Sequence, residues 1–448
     1  MKKIVVIGFG PAGLRASLSA KAQDSSSSIT VISEEPYLTY SRCGLPFVIS
    51  GDIESFDKLM ISKNIILRSN IELMLGFKAI DAISDTLYIE NIKSGETKQL
   101  KFDSLIIATG SRVAIPPIKN LDKYLNSENV FTLRSIDDGI KILKLINKVK
   151  HLIIIGAGAI GLEAAEAFSK RGVMIDVIEL MPKVLPTILD DDMALLIHEN
   201  MIKHNIGLRL NSRVNEVFGS NRIEGVIVNN SNISCDSLLI ATGVKSCVEF
   251  AKTINLELGS MAIKTNELQE TSKANIYAAG DCAETRHLIT SEPFVPYLGT
   301  VAYRQGNVAG VNAAGGFMRF QGALGSIVLK IFDYEVGATG LTVEKAENSG
   351  FKPVVGKVKW YTKAEYYPSH GDIIVKLVFD ENTRRLIGGQ IIGVSDVAQR
   401  VNILATAISL HATVDDLIKL DTCYSPPVAD VIEPIVKASE IAFKKFRL

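Results

Sequence analysis

In IVVIGFGPAG (residues 4–13) a short apolar run leads straight into three glycines with the spacing G-x-G-x-x-G. A second stretch of the same design, HLIIIGAGAIG, covers residues 151–161. In this pattern the first glycine permits a tight turn, the second lets the backbone approach a pyrophosphate, and the third lets a helix pack on the strand. Two such motifs in one chain predict two Rossmann-like dinucleotide-binding folds.

An acidic residue follows each motif by about twenty residues, near the end of the second predicted strand. In the first fold it is Glu34 or Glu35, from ITVISEEP, and in the second it is Glu179, from IDVIEL. A carboxylate there accepts hydrogen bonds from a ribose hydroxyl and repels a 2′-phosphate. Glu179 therefore favours NADH over NADPH. Lys183 lies nearby and softens the preference, so NADPH stays as the alternative donor.

Each predicted fold closes with the same phrase, LIIATG at 105–110 and LLIATG at 238–243. These small residues suit a chain that passes close to a bound dinucleotide. A further strand, NIYAAGDCAE (275–284), ends at Gly280 and Asp281. Asp281 is either a helix N-cap or a ligand of a ribityl or ribose hydroxyl. The small-residue helix predicted after it would aim its positive N-terminus at the electron-rich end of a flavin.

The pattern changes from about residue 321. Alternating and β-branched runs with turn signals predict an antiparallel sheet, and residues 397–420 predict one amphipathic helix. We therefore expect an α/β protein with two dinucleotide-binding domains and a third, α+β domain without a nucleotide motif.

Composition excludes several classes of function. The 49 basic and 49 acidic residues balance, which disfavours nucleic-acid and membrane partners. The apolar run near the start is too short for a signal peptide or a membrane span. The five cysteines include no CxxC pair, and the six histidines form no metal-ligand spacing, so we expect a cytoplasmic protein without a metal.

The order of the motifs resembles the flavoprotein disulfide reductases across essentially the whole chain. It is most similar to their single-cysteine branch, which contains coenzyme A disulfide reductases, NADH oxidases and peroxidases, and persulfide or polysulfide reductases. The segments that carry the resemblance are SRCGLPFVISG (41–51), EYYP (365–368) and CYSPPVAD (423–430). The resemblance implies a split FAD-binding domain (1–112 and 243–320), an NAD-binding domain (113–242), a dimerisation domain (321–448) and a homodimer.

Cys43 has no second thiol at the spacing of a C-x4-C pair, because Val48 occupies that position. A lone redox cysteine forms a mixed disulfide with an external thiol or cycles through a sulfenic acid. We expect Cys43 to open a helix whose dipole favours the thiolate, and Arg42 to add positive charge. The resemblance places Tyr366 and Tyr424 beside the partner subunit's cysteine. Cys423 is a small filler or a resolving thiol.

The resemblance carries over the following site residues: catalytic Cys43, Tyr366 and Tyr424; for FAD, Gly8, Gly10, Pro11, Ala12, Gly13, Glu34, Glu35, Arg42, Ala79, Thr109, Gly110, Asp281, Gly299 and Thr300; for NAD, Gly156, Gly158, Ala159, Ile160, Gly161, Glu179 and Gly243; and for the substrate, Arg15, Ser19, Thr39 and Arg42. Two departures stand out. Pro11 occupies the position where oxidases and peroxidases have histidine, and only Arg15 and Lys21 supply positive charge on the first predicted helix.

The predicted function is transfer of electrons from NADH through FAD to Cys43, which reduces a small disulfide, persulfide or polysulfide. The alternatives are an NADH oxidase that reduces oxygen to peroxide or water, and a flavin-bound redox sensor with little turnover.

Overall fold

A computed structural model describes residues 1–446. Up to residue 113 the elements are β1 (Lys3–Ile7), α1 (Pro11–Gln23), β2 (Ser28–Ser33), α2 (Leu45–Ser50), α3 (Lys63–Ser69), β3 (Glu72–Leu75), β4 (Phe77–Ile83), β5 (Thr86–Asn91), β6 (Thr97–Lys101), β7 (Ser104–Ile107) and β8 (Ser111–Val113). From 114 to 243 they are α4 (Leu121–Tyr124), β9 (Val130–Phe131), α5 (Ile136–Leu145), β10 (His151–Ile155), α6 (Ala159–Ser169), β11 (Met174–Ile178), α7 (Asp191–Lys203), β12 (Gly207–Arg209), β13 (Val214–Phe218), β14 (Gly225–Val228), β15 (Ser231–Ser234) and β16 (Ser237–Ile240).

The remaining elements are β17 (Val244–Ser246), α8 (Glu249–Thr253), β18 (Ile276–Ala278), β19 (Thr285–Arg286), β20 (Pro293–Phe294), α9 (Gly299–Ala313), β21 (Ile327–Ile331), β22 (Tyr334–Gly340), α10 (Val343–Asn348), β23 (Pro353–Tyr361), β24 (Asp372–Asp380), β25 (Leu386–Gly393), α11 (Val397–Ser409), α12 (Val414–Leu417) and α13 (Pro434–Lys445). The chain divides into two compact units. Unit 1 contains residues 1–44, 54–113 and 244–323, and unit 2 contains residues 45–53, 114–243 and 324–448.

Unit 1 is built on a five-stranded sheet in the order β18-β7-β1-β2-β3, in which every neighbouring pair is parallel. Ile4 and Val6 of β1 pack with the alanines of α1 and α9 on one face, and Val5 and Ile7 pack into a second apolar cluster on the other. A strand buried on both faces reads as a continuous apolar run, as β1 does.

Helices α1 and α9 of unit 1 cross at unusually close range. A Cβ on Gly306 would overlap the backbone of Ala12, and one on Gly310 would overlap the backbone of Ala16. The small residues of α9 therefore let its backbone approach that of α1, which brings polar side chains of the two helices together.

Unit 2 repeats the parallel sheet in the order β12-β11-β10-β16-β9. It also holds a five-stranded sheet in the order β21-β22-β25-β24-β23, and all four of its strand pairs are antiparallel. The predicted fold class, with two Rossmann-like folds and a C-terminal α+β part, is confirmed.

The single helix predicted over 397–420 is wrong. Helix α11 ends at Ser409, and a new helix, α12, begins at Val414. Between them His411 adopts a left-handed backbone (φ 58°), and Thr413 caps α12 through a reciprocal bond with Asp416. This capping box gives the chain a second helix start, which an apolar periodicity alone does not reveal.

Candidate active site

The first glycine loop connects β1 to α1 in unit 1. Gly8 has φ +99°, and a Cβ there would overlap the carbonyl oxygen of Ala108. A Cβ on Gly13 would overlap the carbonyl of Gly8, whereas one on Gly10 would meet nothing within 4 Å. The first and third glycines are therefore required by packing, and the second leaves open space above the loop.

The second loop, between β10 and α6 in unit 2, has the same construction. Gly156 has φ +108° and abuts the carbonyl of Ala241, Gly161 abuts the carbonyl of Gly156, and Gly158 again faces open space to 4 Å. Each helix is N-capped by the middle glycine, with no side chain bonded to its first N–H groups. Free N–H donors above an open cradle suit a pyrophosphate, so both loops fit a dinucleotide.

The two ATG segments follow β7 and β16 in the same way. Thr109 donates its hydroxyl proton to the carbonyl of Cys247 at 2.8 Å, and Thr242 donates to the carbonyl of Ala114 at 2.6 Å. Gly110 and Gly243 follow in the left-handed region, at φ +71° and +95°. Each threonine thus ties the end of a sheet strand to a second segment of its own unit, beside the first glycine of the loop.

Asp281 lies just beyond β18 in unit 1. It accepts a 2.6 Å hydrogen bond from Ser111, and its backbone carbonyl accepts one from Ser246 at 2.7 Å. The carboxylate is therefore oriented rather than free to rotate, as an acid that binds a ribityl or ribose hydroxyl needs to be. Gly299 and Thr300, at the start of α9, are exposed, and no side chain caps that helix. Ala79 lies in the apolar core of unit 1.

The acids after β2 have different surroundings. The last residue of the first strand pairs with an isoleucine in both folds. Ile7 of β1 pairs with Ile32 of β2, and Ile155 of β10 pairs with Ile178 of β11. Ser33 therefore occupies the register position of Glu179. Glu34 is exposed, while Glu35 accepts bonds from Arg42 at 2.5 Å and from Tyr40 at 2.7 Å.

Glu179 is buried at the end of β11 and held by backbone donors. Its carboxylate accepts one bond from the amide of Ala157 at 2.7 Å and another from Met181 at 2.8 Å. The nearby Lys183 pairs with Asp191 at 2.6 Å and approaches Glu344 at 3.8 Å. Two carboxylates therefore neutralise the charge of Lys183. The lysine should then attract the 2′-phosphate of NADPH less than the sequence suggested, and the preference for NADH should be stronger.

Cys43 is exposed in a 3₁₀ turn, Arg42–Gly44, that leads directly into α2. The predicted helix therefore begins two residues later than expected, at Leu45. On the preceding side, Ser41 donates its backbone N–H to Leu59 at 3.0 Å. Burial raises the pKa of Cys235 to about 12 and also raises the pKa values of Cys247 and Cys282. Those three remain protonated thiols, which are poor nucleophiles.

Tyr366 and Tyr424 meet in unit 2, although they are far apart in sequence. Their hydroxyls are 2.8 Å apart, and both side chains are exposed, at 72% and 49%. The hydrogen bond between the two hydroxyls raises the pKa of Tyr366. Tyr366 is therefore a protonated phenol on an open surface, and Tyr424 beside it follows the exposed Cys423 in sequence.

An arginine-lined cavity of about 270 Å³ in unit 1 lies between α1 and α9. Arg15, Arg304 and Arg319 line it together with Tyr303 and Asn307. Arg15 and Ser19 both donate to the Asn307 side-chain oxygen, at 3.1 and 2.7 Å. The sequence prediction named Arg15 and Ser19 and missed the rest; the i, i+4 spacing of Tyr303 and Asn307 on a small-residue helix is the signal that was available.

The other predicted substrate residues, Thr39 and Arg42, are not cavity-lining residues. Thr39 is buried and donates to the carbonyl of Phe9. Arg42 also contacts Tyr40, whose hydroxyl lies 3.0 Å from its guanidinium. Within residues 1–446, no group of His, Cys, Asp and Glu side chains is arranged to hold a metal ion.

Comparison with known families bears directly on this geometry. The model of the pyridine nucleotide-disulphide oxidoreductase family matches residues 2–306, which include both glycine loops and Cys43. The chain belongs to this family. A second model, for the dimerisation domain of the same family, matches residues 328–435. The chain is thus an FAD-dependent oxidoreductase that uses NAD(P)H and carries a dimerisation domain.

Similar proteins span the whole chain. An NADH oxidase from Methanocaldococcus jannaschii is 37% identical, with 99% of each chain covered. A CoA-dependent NAD(P)H sulfur oxidoreductase from Pyrococcus furiosus is 34% identical and covers 98% of this chain and 99% of its own. The structure of an NAD-dependent persulfide reductase from A. fulgidus superposes with a TM-score of 0.94 at 32% identity, over 99% of this chain and 83% of that one.

Among residues 1–446, no helix combines the length and the apolar character that crossing a membrane requires.

Proposed function

We propose that this chain transfers an electron pair from NADH, through bound FAD, to an external disulfide, persulfide or polysulfide, with Cys43 as the redox thiol. The observation that carries the proposal is the exposed Cys43 without a second thiol at position 48, in a chain with two complete dinucleotide loops. When bound, FAD accepts a hydride from the nicotinamide and delivers two electrons to sulfur.

The sulfur chemistry balances with one NADH per turnover. The Cys43 thiolate attacks one sulfur of a disulfide RSSR, forms the mixed disulfide Cys43–S–S–R and releases RS⁻. Two electrons then cleave that mixed disulfide, which regenerates the Cys43 thiolate and releases a second RS⁻. Two protons, one from solution and one from NADH oxidation, convert both products to thiols.

We assign the Tyr366–Tyr424 pair the role of proton donor to the leaving thiolate, acting on Cys43 of the partner subunit in a homodimer. The support is the raised pKa of Tyr366, the 2.8 Å hydrogen bond between the two hydroxyls, the exposure of both side chains in a single chain and their position in the region that matches the dimerisation domain. In a homodimer formed through this region, a second copy of the chain would cover the two phenols and bring its Cys43 to them.

The arginine-lined cavity supports an acceptor that carries phosphate groups. Arg15, Arg304 and Arg319 line it, and guanidiniums bind phosphates through paired hydrogen bonds. Arg319 also pairs with Glu267 at 3.0 Å, so Arg15 and Arg304 are the stronger candidates. A relative of this chain is named as CoA-dependent, and coenzyme A carries phosphates of this kind. We therefore propose a coenzyme A-linked disulfide or persulfide as the preferred acceptor, with Arg15 and Ser19 among its ligands.

Replacement of Cys43 tests the proposal. Cys43→Ser is expected to retain FAD and its reduction by NADH, because the glycine loops, Thr109 and Asp281 are untouched. Turnover with coenzyme A disulfide should fall by about a hundredfold or more, since serine cannot form the mixed disulfide. Cys423→Ser is the matched control, an exposed cysteine that should keep most of the activity. Undiminished disulfide reduction by Cys43→Ser would refute the role.

Oxygen reduction is the second candidate, favoured by the 37% identity to a protein named NADH oxidase. Proton delivery to reduced oxygen suits a group that titrates near neutrality, such as histidine. Pro11 has no proton to give, and no other residue of GFGPAGLRA titrates there. We expect sulfur acceptors to exceed oxygen by about tenfold in turnover, about 1.4 kcal/mol in barrier. Steady-state rates with a panel of acceptors measure this, and water formation faster than every sulfur reaction would reverse the assignment.

A further inference from the structure

Helix α2 in unit 2 follows the Cys43 turn without an intervening residue, so the position of α2 sets where the thiol-bearing turn ends. The helix has only six residues, and a helix this short holds its place through packing rather than through its own hydrogen bonds. The contacts that fix its far end therefore bear on the reactive thiol.

The carbonyls at the C-terminal end of α2 have three separate partners. Phe47 accepts from the backbone N–H of Ile53 at 2.9 Å, and Val48 accepts from Gly51 at 3.2 Å. The third, the carbonyl of the fully buried Ile49, accepts from the Nε of Arg171 at 2.7 Å. Arg171 thus supplies a side-chain donor where the backbone after α2 does not provide one.

Gly51 leaves room for this guanidinium. Its φ of +91° ends the helix, and a Cβ at that position would lie 3.0 Å from a terminal nitrogen of Arg171. A positive charge at the C-terminal end of a helix also interacts favourably with the helix dipole. The missing side chain at Gly51 and the direction of the helix dipole therefore both favour a cation at this end of α2.

A second contact, between Lys170 and Asp52 at 2.8 Å, lies beside the first but is more exposed. Exposed ion pairs of this kind contribute little. Arg171 differs because its acceptor is a buried carbonyl, and a buried acceptor that loses its donor is costly. Arg171 itself is exposed, so its replacement leaves no cavity in the core.

The arginine belongs to the NAD-binding fold. Arg171 follows the last residue of α6 by two positions, and α6 begins at the glycine loop of the nucleotide site. The 11-residue helix α6 therefore begins at the nucleotide loop, and the anchor of α2 lies two residues beyond its other end. At 1.5 Å per residue, the two ends are about 16 Å apart.

We propose that Arg171 is a positioning residue for Cys43: by holding the carbonyl of Ile49, it fixes α2 and with it the turn that presents the thiol. The proposal rests on the function assigned to Cys43 above. It places the control of thiol geometry in the NAD-binding fold, two residues beyond the helix that begins at the nucleotide cradle.

The test compares Arg171→Gln, Arg171→Lys and wild type as FAD-loaded enzyme. In Arg171→Gln, kcat with coenzyme A disulfide should fall about fivefold or more, because a small misplacement of a reacting group is costly. The KM for NADH and the rate of flavin reduction by NADH should stay within about twofold, since the glycine loop is untouched. Arg171→Lys restores one donor and should recover at least about half of the lost rate.

A readout independent of turnover is the rate at which iodoacetamide alkylates Cys43 in NADH-reduced enzyme, followed by mass spectrometry. We expect it to be about threefold slower in Arg171→Gln and restored in Arg171→Lys, because a displaced turn stabilises the thiolate less well. Arg213→Gln removes an exposed arginine elsewhere in unit 2 and should change neither quantity.

Unchanged kcat and alkylation in Arg171→Gln would overturn the proposal, as would an equal loss in Arg213→Gln. The outcome for Cys43→Ser separates this failure from failure of the proposed function. If Cys43→Ser abolishes disulfide turnover while Arg171→Gln has no effect, only the positioning role is lost. If Cys43→Ser retains turnover, the function itself is wrong.

Discussion

The two dinucleotide folds share a backbone but differ at one register position. Both loops have an overlapping first and third glycine and an open second glycine, and both ATG segments tie a threonine hydroxyl to a carbonyl of their own unit. At the end of the second strand, however, the first fold has Ser33 and the second has Glu179. The glycines serve any dinucleotide, so they do not distinguish the two ligands.

What distinguishes the folds is the residue at the end of the second strand. Glu179 is buried and oriented by two backbone amides, so its charge has a fixed place. In the first fold the acids come one and two residues later, and Glu35 is already paired with Arg42. Glu34 is therefore the better candidate for the flavin ribose. Shared backbone geometry with different polar termini allows one architecture to hold FAD in one copy and NADH in the other.

Substitution of the first glycine in each loop should show that the two loops bind different cofactors. Gly156→Val should keep bound FAD but lose about a hundredfold or more in flavin reduction by NADH, since the side chain overlaps the carbonyl of Ala241. Gly8→Val should purify without FAD, because the same overlap occurs in the other loop. Visible absorbance and rapid-mixing kinetics measure both.

Gly172→Ala is the control for this pair. Gly172 also has a positive φ, +77°, but a Cβ there meets nothing within 4 Å. Its replacement tests backbone strain without overlap and should leave both cofactors in use. If Gly156→Val lost FAD as readily as Gly8→Val, the two loops would not serve separate ligands.

Neutralising the carboxylate of Glu179 should have a smaller effect, on the choice between NADH and NADPH. Glu179→Gln removes the charge that repels a 2′-phosphate, so the ratio of kcat/KM for NADH to that for NADPH should fall about tenfold. Glu216→Gln, which neutralises a carboxylate in the β13 strand of the same unit, should leave the ratio unchanged. A wild-type enzyme that already prefers NADPH would contradict the assignment of Glu179.

The smallest effect concerns the matched threonines. Thr109→Val and Thr242→Val each remove one hydrogen bond to a backbone carbonyl, and each should lower the free energy of unfolding by about 1 kcal/mol. Thr109→Ser and Thr242→Ser keep the hydroxyl and should lower the free energy of unfolding by less. Thermal denaturation of the FAD-loaded enzyme compares them. A loss at only one of the two positions would show that the ATG segments are not equivalent in stability.

The repeated parts of this protein could be predicted from short stretches of its sequence. Glycine spacing, apolar strands and the ATG phrases act over a few residues, where local sterics leave few alternatives, and the family and fold class followed from them. The role of Cys43 as a lone redox thiol could also be predicted from a short stretch, because it follows from the absence of a thiol at residue 48. Helix breaks such as the one at His411 were missed, because periodicity does not register a left-handed residue between two caps.

The contacts between side chains that are distant in sequence could not be predicted in this way. Arg15 shares a cavity with Arg304 and Arg319 because Gly306 and Gly310 let α9 approach α1, and Arg171 reaches the carbonyl of Ile49 because α6 packs along α2. Tyr366 and Tyr424 pair across 58 residues of sequence. The physical reason is that these contacts depend on how whole elements pack, which no local pattern encodes, whereas the glycine loops are determined by the residues that form them.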